Sequence, residues 1–391
     1  MKVVILNWKE GENDPFTYVN RTMSAHFGAW GKNVEIIEIC DRDWIDQLAR
    51  LLPSGVEFAF TWQGLGSRTM SVDGGQNLWD QMRVPLVCLH ADHPSHMPLN
   101  HELESRYCFH LYTNADFARY SNRHFRRTRG ASVIDIPQLF REPRLSARTG
   151  DYFVFAKNIN DPTFVEGNWQ QSLDKRVYGA YMAAVEALKA RLATEPYVEL
   201  HDVLDELITQ PGLEWLSHPA NIGVYHQYHS WLEHYFRSYK SVAAVTALRD
   251  FPLRVYGRGW ERIARTAPPS QKFEPGHSMA DSQHLYYSRF GLVDVSPSKL
   301  LHDRTRRAMV NGTGFVSSAN LEDLFADIGR FTSLFFDFRA NDLQEKCAAA
   351  MHDPEGHREL AEQFASAYHN QYRISDFVTR IDDLVKSVPT L

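Results

Sequence analysis

The sequence predicts an α/β protein of two doubly wound parallel sheets, and three observations carry that expectation. Short β-branched runs alternate with stretches of helical period through the first third of the chain. A polar stretch containing Pro143 and Gly150 (Arg141–Gly150) separates that series from a second one, which opens at Tyr152–Ala156. Within the second series, Gly291–Phe315 reads strand, polar loop, helix, glycine, strand, the repeating unit of a parallel sheet. The expected domains are therefore 1–145 and 151–391.

Taken in order, Val3–Leu6 reads as the first strand, Pro15–Ala29 as a helix and Val34–Ile39 as the second strand. Trp44–Leu52 is helical, Phe58–Thr61 a third strand and Leu78–Met82 a short helix before the strand Pro85–Leu89. Tyr107–Tyr112 and Ser132–Ile136 complete the series around a helix at Asp116–Phe125. After the second domain's first strand, residues 168–249 turn to long helical periods (Arg176–Leu192, Leu200–Ile208, Trp231–Leu248), read as a helical elaboration. The sheet resumes at Leu253–Tyr256. Leu292, Val293 and Val295 then form a strand that Ser296-Pro297 breaks, Thr305–Val310 is helical, and Asn311-Gly312 is a helix stop.

At 391 residues, with 43% hydrophobic and 23% charged content, the chain can bury two ordinary globular cores. A net charge of -6 gives no whole-chain field for nucleic acid or an anionic membrane, so no nucleic-acid partner is expected. The four cysteines lack zinc-type spacing and fit reduced cytosolic thiols. MKVVILNWKE has no long apolar region and no run approaches a membrane span, so a cytoplasmic protein is expected.

Ligands of parallel sheets sit at the carboxyl ends of strands, where helix N-termini attract anions. The loop and helix after Val295 carry Lys299, His302, Arg304, Arg306 and Arg307, a cationic setting suited to phosphate. Asp303 reads either as a ligand residue or as the plain N-cap of that helix. Of Arg306 and Arg307, at least one is expected on a solvated face. Gly257-Arg258-Gly259-Trp260 follows an apolar strand directly. Its glycines would let backbone amides approach a diphosphate, Arg258 would pair with phosphate oxygens, and Trp260 would pack in the core. In the first domain, LVCLHADHPSH (Leu86–His96) runs from a buried strand into His90, Asp92 and His93. One of these could accept a proton or contact a sugar; a structural loop, or zinc at Cys88, His90, His93 and His96, are the other readings. The loop Asn7–Asn13, with Gly11, and Gln63-Gly64 in Trp62–Gly66 are further ligand loops. Asp41-Arg42-Asp43 is a literal D-x-D but opens a helix, where Asp is a routine cap. Tyr225–His234 reads as a packed amphipathic helix.

HDRTRRAMVNGTGFV (His302–Val316) resembles the R-x-F-E-A-M-A-x-G-G-F segment of group-1 glycosyltransferases of the CgeB type. LRVYGRGWE (Leu253–Glu261) is similar to their iyG-x-gW strand and turn, and Asp337–Ile381 resembles their closing helices. The resemblance covers roughly 151–391; the first 150 residues are alike only in layout. Arg307 departs from it, standing where members carry a Glu that contacts the donor sugar or its ribose. The resemblance implies a GT-B fold, two Rossmann-like domains facing across a cleft, and a metal-independent transfer of sugar from a nucleotide-diphosphate-sugar to a sugar, glycan, protein or small-molecule acceptor. The donor-side residues it implies are Gly257, Arg258, Lys299, His302, Asp303, Arg304 and Gly312. Arg304 is foremost among them and is expected at an exposed position facing the phosphates. His90, Asp92 and His93 are the catalytic candidates, His90 foremost because it lies nearest the strand's carboxyl end, and Gly11, Asn13, Gln63 and Gly64 the acceptor-side ones. No cofactor beyond the nucleotide sugar is expected. An epimerase-like enzyme of nucleotide sugars and a non-catalytic binding protein are the alternatives.

Overall fold

The computed structural model describes residues 2–8, 15–71, 74–102, 104–127, 129–137, 150–276, 286–297, 299–320 and 329–387. They fall into two compact units, Met1–Arg141 with Tyr368–Leu391, and Glu142–Ala367. The first contains β1 (Lys2–Asn7), α1 (Pro15–Ala29), β2 (Asn33–Glu38), α2 (Trp44–Leu51), β3 (Val56–Trp62), α3 (Leu78–Met82), β4 (Leu86–His90), β5 (Cys108–Tyr112), α4 (Ala115–His124) and β6 (Ser132–Val133). The second contains β7 (Phe153–Ala156), α5 (Pro162–Ser172), α6 (Lys175–Thr194), α7 (Leu200–Leu207), α8 (Ile222–Ala247), β8 (Leu253–Tyr256), α9 (Glu261–Ala264), β9 (Gln271–Glu274), β10 (Gly291–Asp294), α10 (Asp303–Val310), β11 (Phe315–Ser317) and α11 (Asp342–His352). The chain closes with α12 (Pro354–Gln371) and α13 (Ile374–Lys386).

Both sheets are parallel, because the strands are apolar on both faces and helices cover each face. In the first sheet Val3, Ile5, Phe58 and Phe60 pack on one side, while Val4, Leu6 and Ala59 pack on the other. The strand order is β2-β1-β3-β4-β5-β6 in the first sheet and β11-β10-β7-β8-β9 in the second. Chain direction across the sheet therefore reverses between β1 and β3, and again between β7 and β10. Loops splay apart at such switch points, leaving room for a ligand at the carboxyl ends of the strands.

The expected doubly wound series is present, and the helical elaboration lies in the crossover from β7 to β8. Two elements differ. β9 carries the polar sequence QKFE, which gives no apolar run to read. The second domain does not run to the end of the chain. In α13 the residues Phe377, Val378, Ile381 and Val385 form one apolar stripe, and that stripe packs on Val3, Ile5 and Phe27 of the first unit. Asp382 pairs with Lys32 at 3.4 Å, and the Tyr368 hydroxyl donates to the Ile136 carbonyl at 2.9 Å. The reason is geometric: a stripe at helical spacing states that a helix is buried but not against what. The 141–149 portion of the expected linker lies outside the described residues.

Ile381 is fully buried in this cluster. Ile381→Ala is expected to destabilise the first unit by about 2–5 kcal/mol, read as a lower urea midpoint with the slope unchanged.

Candidate functional site

The switch point of the second sheet is built on a buried acid. Asp294 ends β10 and is 1% exposed. Arg304 Nε donates to its Oδ1 at 2.9 Å, Arg304 Nη2 lies at the same distance, and the Thr305 hydroxyl donates to Oδ2 at 2.7 Å. Burial works to raise the Asp294 carboxyl pKa, but the charges of Arg304 and His302 and the Thr305 hydroxyl outweigh it, leaving the group below its usual range. Arg304 is therefore not exposed as expected; it is turned inward to hold Asp294. His302, not Asp303, is the N-cap of α10: its ring accepts from the Arg304 amide, while Asp303 is the first helical residue. Asp303 bonds to His302 and accepts from the same amide at 2.8 Å. Burial would raise its carboxyl, yet His302 and Arg304 hold it far below the ordinary value.

Two lysines that the sequence reading passed over reach the same strand ends. Lys157, directly after β7, donates to the Val295 carbonyl at 3.3 Å. Lys240, from α8, donates to the Ser296 carbonyl at 3.1 Å. Lys240 is 6% exposed; Lys157 is half-buried as a residue, with its ammonium end inside. Burial draws both amines down, Lys157 far below the lysine range and Lys240 to about 8; Arg304, Arg237 and Lys240 add to the effect at Lys157, whereas at Lys240 Glu233 and Glu199 oppose it and Arg237 adds to it. A lysine immediately after an apolar strand was a readable signal for Lys157. Lys240 lies mid-helix and had none.

The glycines after β8 serve packing. Gly257 has φ +146°, and a Cβ there would collide with the Lys157 carbonyl; Gly259, at φ +89°, meets the Ile159 carbonyl in the same way. The amides of this turn are engaged: Gly257 donates to the Glu274 carbonyl at 3.2 Å and Arg258 to Asn158 Oδ1 at 2.9 Å. Approach of Gly257's N–H to a diphosphate, as expected, is thus replaced by approach to the neighbouring loop. The Arg258 side chain is exposed. Trp260 packs edge-on against Phe155 and donates to the Lys157 carbonyl at 2.7 Å, the structural role expected. Beside this turn a cavity of about 780 Å³ is lined by Asn160, Asp161, Phe164, Trp169, Gly259 and Arg262, among others. Lys299 lies 5.2 Å from the Tyr197 ring. Gly312, at φ +65°, terminates α10 at the end opposite Arg304, so it stops the helix and does not join the cationic group. Arg306 and Arg307 are both buried, contrary to the expected solvated face, and the Arg307 guanidinium lies 5.7 Å from the Tyr286 ring.

In the first unit the structure joins two sets of residues that were nominated separately. Gln63 Nε2 donates to Asp92 Oδ2 at 2.7 Å, and Asn100 donates to the Gln63 carbonyl at 2.9 Å. Gly64, at φ +68°, lies so close to His90 and Asn100 that a side chain there would crowd both. Asp92 is half-buried. His90 is fully buried, bonded to His110 at 3.0 Å and stacked on Tyr112, and burial pushes its ring far below the usual pKa. It is a neutral core histidine, not the cleft residue expected of the foremost candidate. His93 is also buried; its Nδ1 meets the Ser95 hydroxyl at 2.7 Å and caps the turn beginning at Pro94. Gly11 and Asn13 lie outside the described residues. Asp43 occupies the cap position of α2 but makes no capping bond; it accepts from Gln47 at 2.9 Å.

The soft-metal ligands that come together here are Cys88, His90 and His110, on neighbouring positions of β4 and β5, rather than the grouping with His93 and His96. Burial holds the Cys88 thiol well above its usual pKa, which disfavours the thiolate a metal would need. Arg127 adds positive charge beside the group. The fit to a divalent cation is poor.

No protein-family model matches the chain, and no curated protein matches it. Among solved structures it is similar to the DNA-modifying enzyme β-glucosyltransferase, determined with and without its substrate uridine diphosphoglucose. Identity is 9%, coverage 98% of this chain and 100% of that one, and the TM-score 0.51. The T4 phage β-glucosyltransferase in complex with UDP-glucose gives 8% identity over 100% of both chains, with a TM-score of 0.49. The likeness is one of fold: two Rossmann-like α/β units of the GT-B type. No helix among the described residues is long and apolar enough to cross a membrane.

Breaking the Asp294–Arg304 pair from one side strands a buried carboxylate. Arg304→Met is expected to cost about 3–5 kcal/mol, and the double variant Asp294→Asn/Arg304→Met much less, both by chemical denaturation. Because the folded carboxyl is depressed, the pair's stabilisation is fully present above the unfolded carboxylate value of about 3.9 and lost as pH falls through the lower folded one.

Proposed function

We propose that the chain is a glycosyltransferase that moves a sugar from a nucleotide-diphosphate-sugar donor to a hydroxyl-bearing acceptor. The second unit holds the donor, and Asp92 in the first unit serves the acceptor. The observation that carries this reading is the gathering of cations at the β7/β10 switch point, where Lys157 and Lys240 reach the loop after β10 beside the Asp294–Arg304 pair and Arg258 stands exposed nearby. The CgeB-type resemblance of His302–Val316 and Leu253–Glu261 supports the same assignment, as does a fold shared with an enzyme crystallised with uridine diphosphoglucose. The four free thiols suit a reducing, cytoplasmic setting.

In the reaction the acceptor oxygen attacks the anomeric carbon, the bond from that carbon to the diphosphate oxygen breaks, and the electron pair leaves with the nucleoside diphosphate. Positive groups fixed in advance at the leaving group stabilise the charge that develops there. Asp92 takes the acceptor's proton. Of the three nominated residues it is the one that is neither sealed in the core, as His90 is, nor used as a cap, as His93 is. Lysine and arginine supply the charge that a metal ion would otherwise bring, so a metal-independent reaction is proposed, with no cofactor beyond the co-substrate.

The test is release of nucleoside diphosphate from a panel of nucleotide sugars, with glycans, peptides, small alcohols and DNA bearing a base hydroxyl as acceptors. Donor binding without any transfer or hydrolysis would leave a binding protein instead. Asp92→Asn is expected to lower kcat by about 10²–10⁴-fold while donor affinity and Tm stay near wild type. Turnover is expected to persist in EDTA; complete loss restored by manganese or magnesium would overturn the metal-independent reading.

A further inference from the structure

Lys240 and Lys157 are buried amines whose desolvation the protein offsets only in part. Glu233 and Glu199 act on Lys240, whose ammonium lies 5.2 Å from the Phe236 ring, and Asp294 acts on Lys157, yet burial outweighs them at both. Their ammonium groups hold the consecutive carbonyls of Ser296 and Val295. Neither contacts a carboxylate among the described residues. The acids nearby are committed elsewhere: Asp294 to Arg304 and Thr305, Glu233 to Arg237, and Glu199 to His201 at 2.9 Å and the Tyr197 hydroxyl at 3.0 Å. Burying an ammonium without a counter-ion is unfavourable, and placing a second one beside it adds repulsion. Each amine spends one of its three protons on a carbonyl, leaving two to donate. The location is the β7/β10 switch point, where a doubly wound sheet accommodates ligands.

We propose that the helical insertion is a working part of the phosphate site, with Lys240 of α8 and Lys157 together seating a doubly negative phosphate group at the carboxyl ends of β7 and β10. A single negative charge would leave one of the two lysines uncompensated, so the seat favours a diphosphate over a neutral or singly charged ligand. The identity of that ligand as a nucleoside diphosphate rests on the transferase reading; the seat itself rests on the two lysines. The insertion also brings Tyr197 against Lys299, on the loop whose carbonyls the lysines hold. An alternative role is a purely structural clamp, in which the lysines exist to pin Val295 and Ser296. The two roles make opposite demands on stability.

The deciding experiment uses the full chain, Lys240→Met, and inorganic pyrophosphate and uridine diphosphate as probes, in thermal denaturation and calorimetry at pH 7. A ligand seat gives a variant that melts higher than wild type without ligand, because a buried charge offset only in part is gone. Its pyrophosphate affinity falls at least tenfold and the ligand-induced rise in Tm is largely lost. With the amine held near 8 by burial, facing Lys157, Arg237, Glu233 and Glu199, the variant's advantage also shrinks as pH rises from 7 towards 10 and the lysine loses its charge. A variant that melts lower, or one that keeps wild-type affinity for pyrophosphate, overturns the proposal. If Lys240→Met does not fold, Lys157→Met and the wild-type titration decide, and no saturable pyrophosphate binding by the wild type overturns it. Pyrophosphate binding with no turnover of any donor sugar would instead sink the transferase reading and leave the seat standing.

Discussion

The ion pair between Asp294 and Arg304 is the constraint on which the second unit's strand ends depend. It fastens the last residue of β10 to the second residue of α10, so the loop between them has a fixed span. Thr305 adds a hydrogen bond to the other carboxylate oxygen, which leaves Asp294 satisfied on both sides. A buried carboxylate without these partners would protonate or force the strand end apart. With them it stays charged and in turn draws positive groups towards the switch point. The position of Val295 and Ser296, and hence what Lys157 and Lys240 can reach, follows from that anchor.

The same pair explains why the cationic character of Lys299–Arg307 is distributed as it is. Arg304 balances Asp294, Arg306 and Arg307 go into the packing of α10, and the positive charge left over is contributed by residues far away in sequence. Net charge and local charge therefore describe different things. A chain of formal charge -6 still brings two buried lysines to one strand end. A site for a phosphorylated small molecule needs only that local excess.

The first unit shows how the same sheet logic sorts chemically similar residues. His90 and Asp92 are two residues apart, yet one is sealed beneath the loop and the other sits half-exposed against Gln63. The difference comes from the strand ending at His90: up to that point both faces are covered, and beyond it the chain turns out. Gln63 and Gly64, both with positive φ, make the tight turn that brings the β3 loop against Asp92.

What the sequence determined by itself was the alternation of apolar strands and helices, the two sheets and the helical stretch in the first crossover of the second. These follow from side-chain period along a continuous segment, which is local information. Strand-end loops were legible for the same reason, so Arg258, Gln63 and Asp92 were named as residues of strand-end loops, and Arg304 as one at the start of the helix that follows such a loop. The tertiary structure alone decided what each one touches. It turned Arg304 inward because Asp294, ten residues earlier, is buried opposite it. It sent α13 back to the first unit because an apolar stripe fits whichever core has the complementary gap. It brought Lys240 from mid-helix to a strand end, since burial and charge at a site depend on all the elements that converge there, and no single segment carries that information.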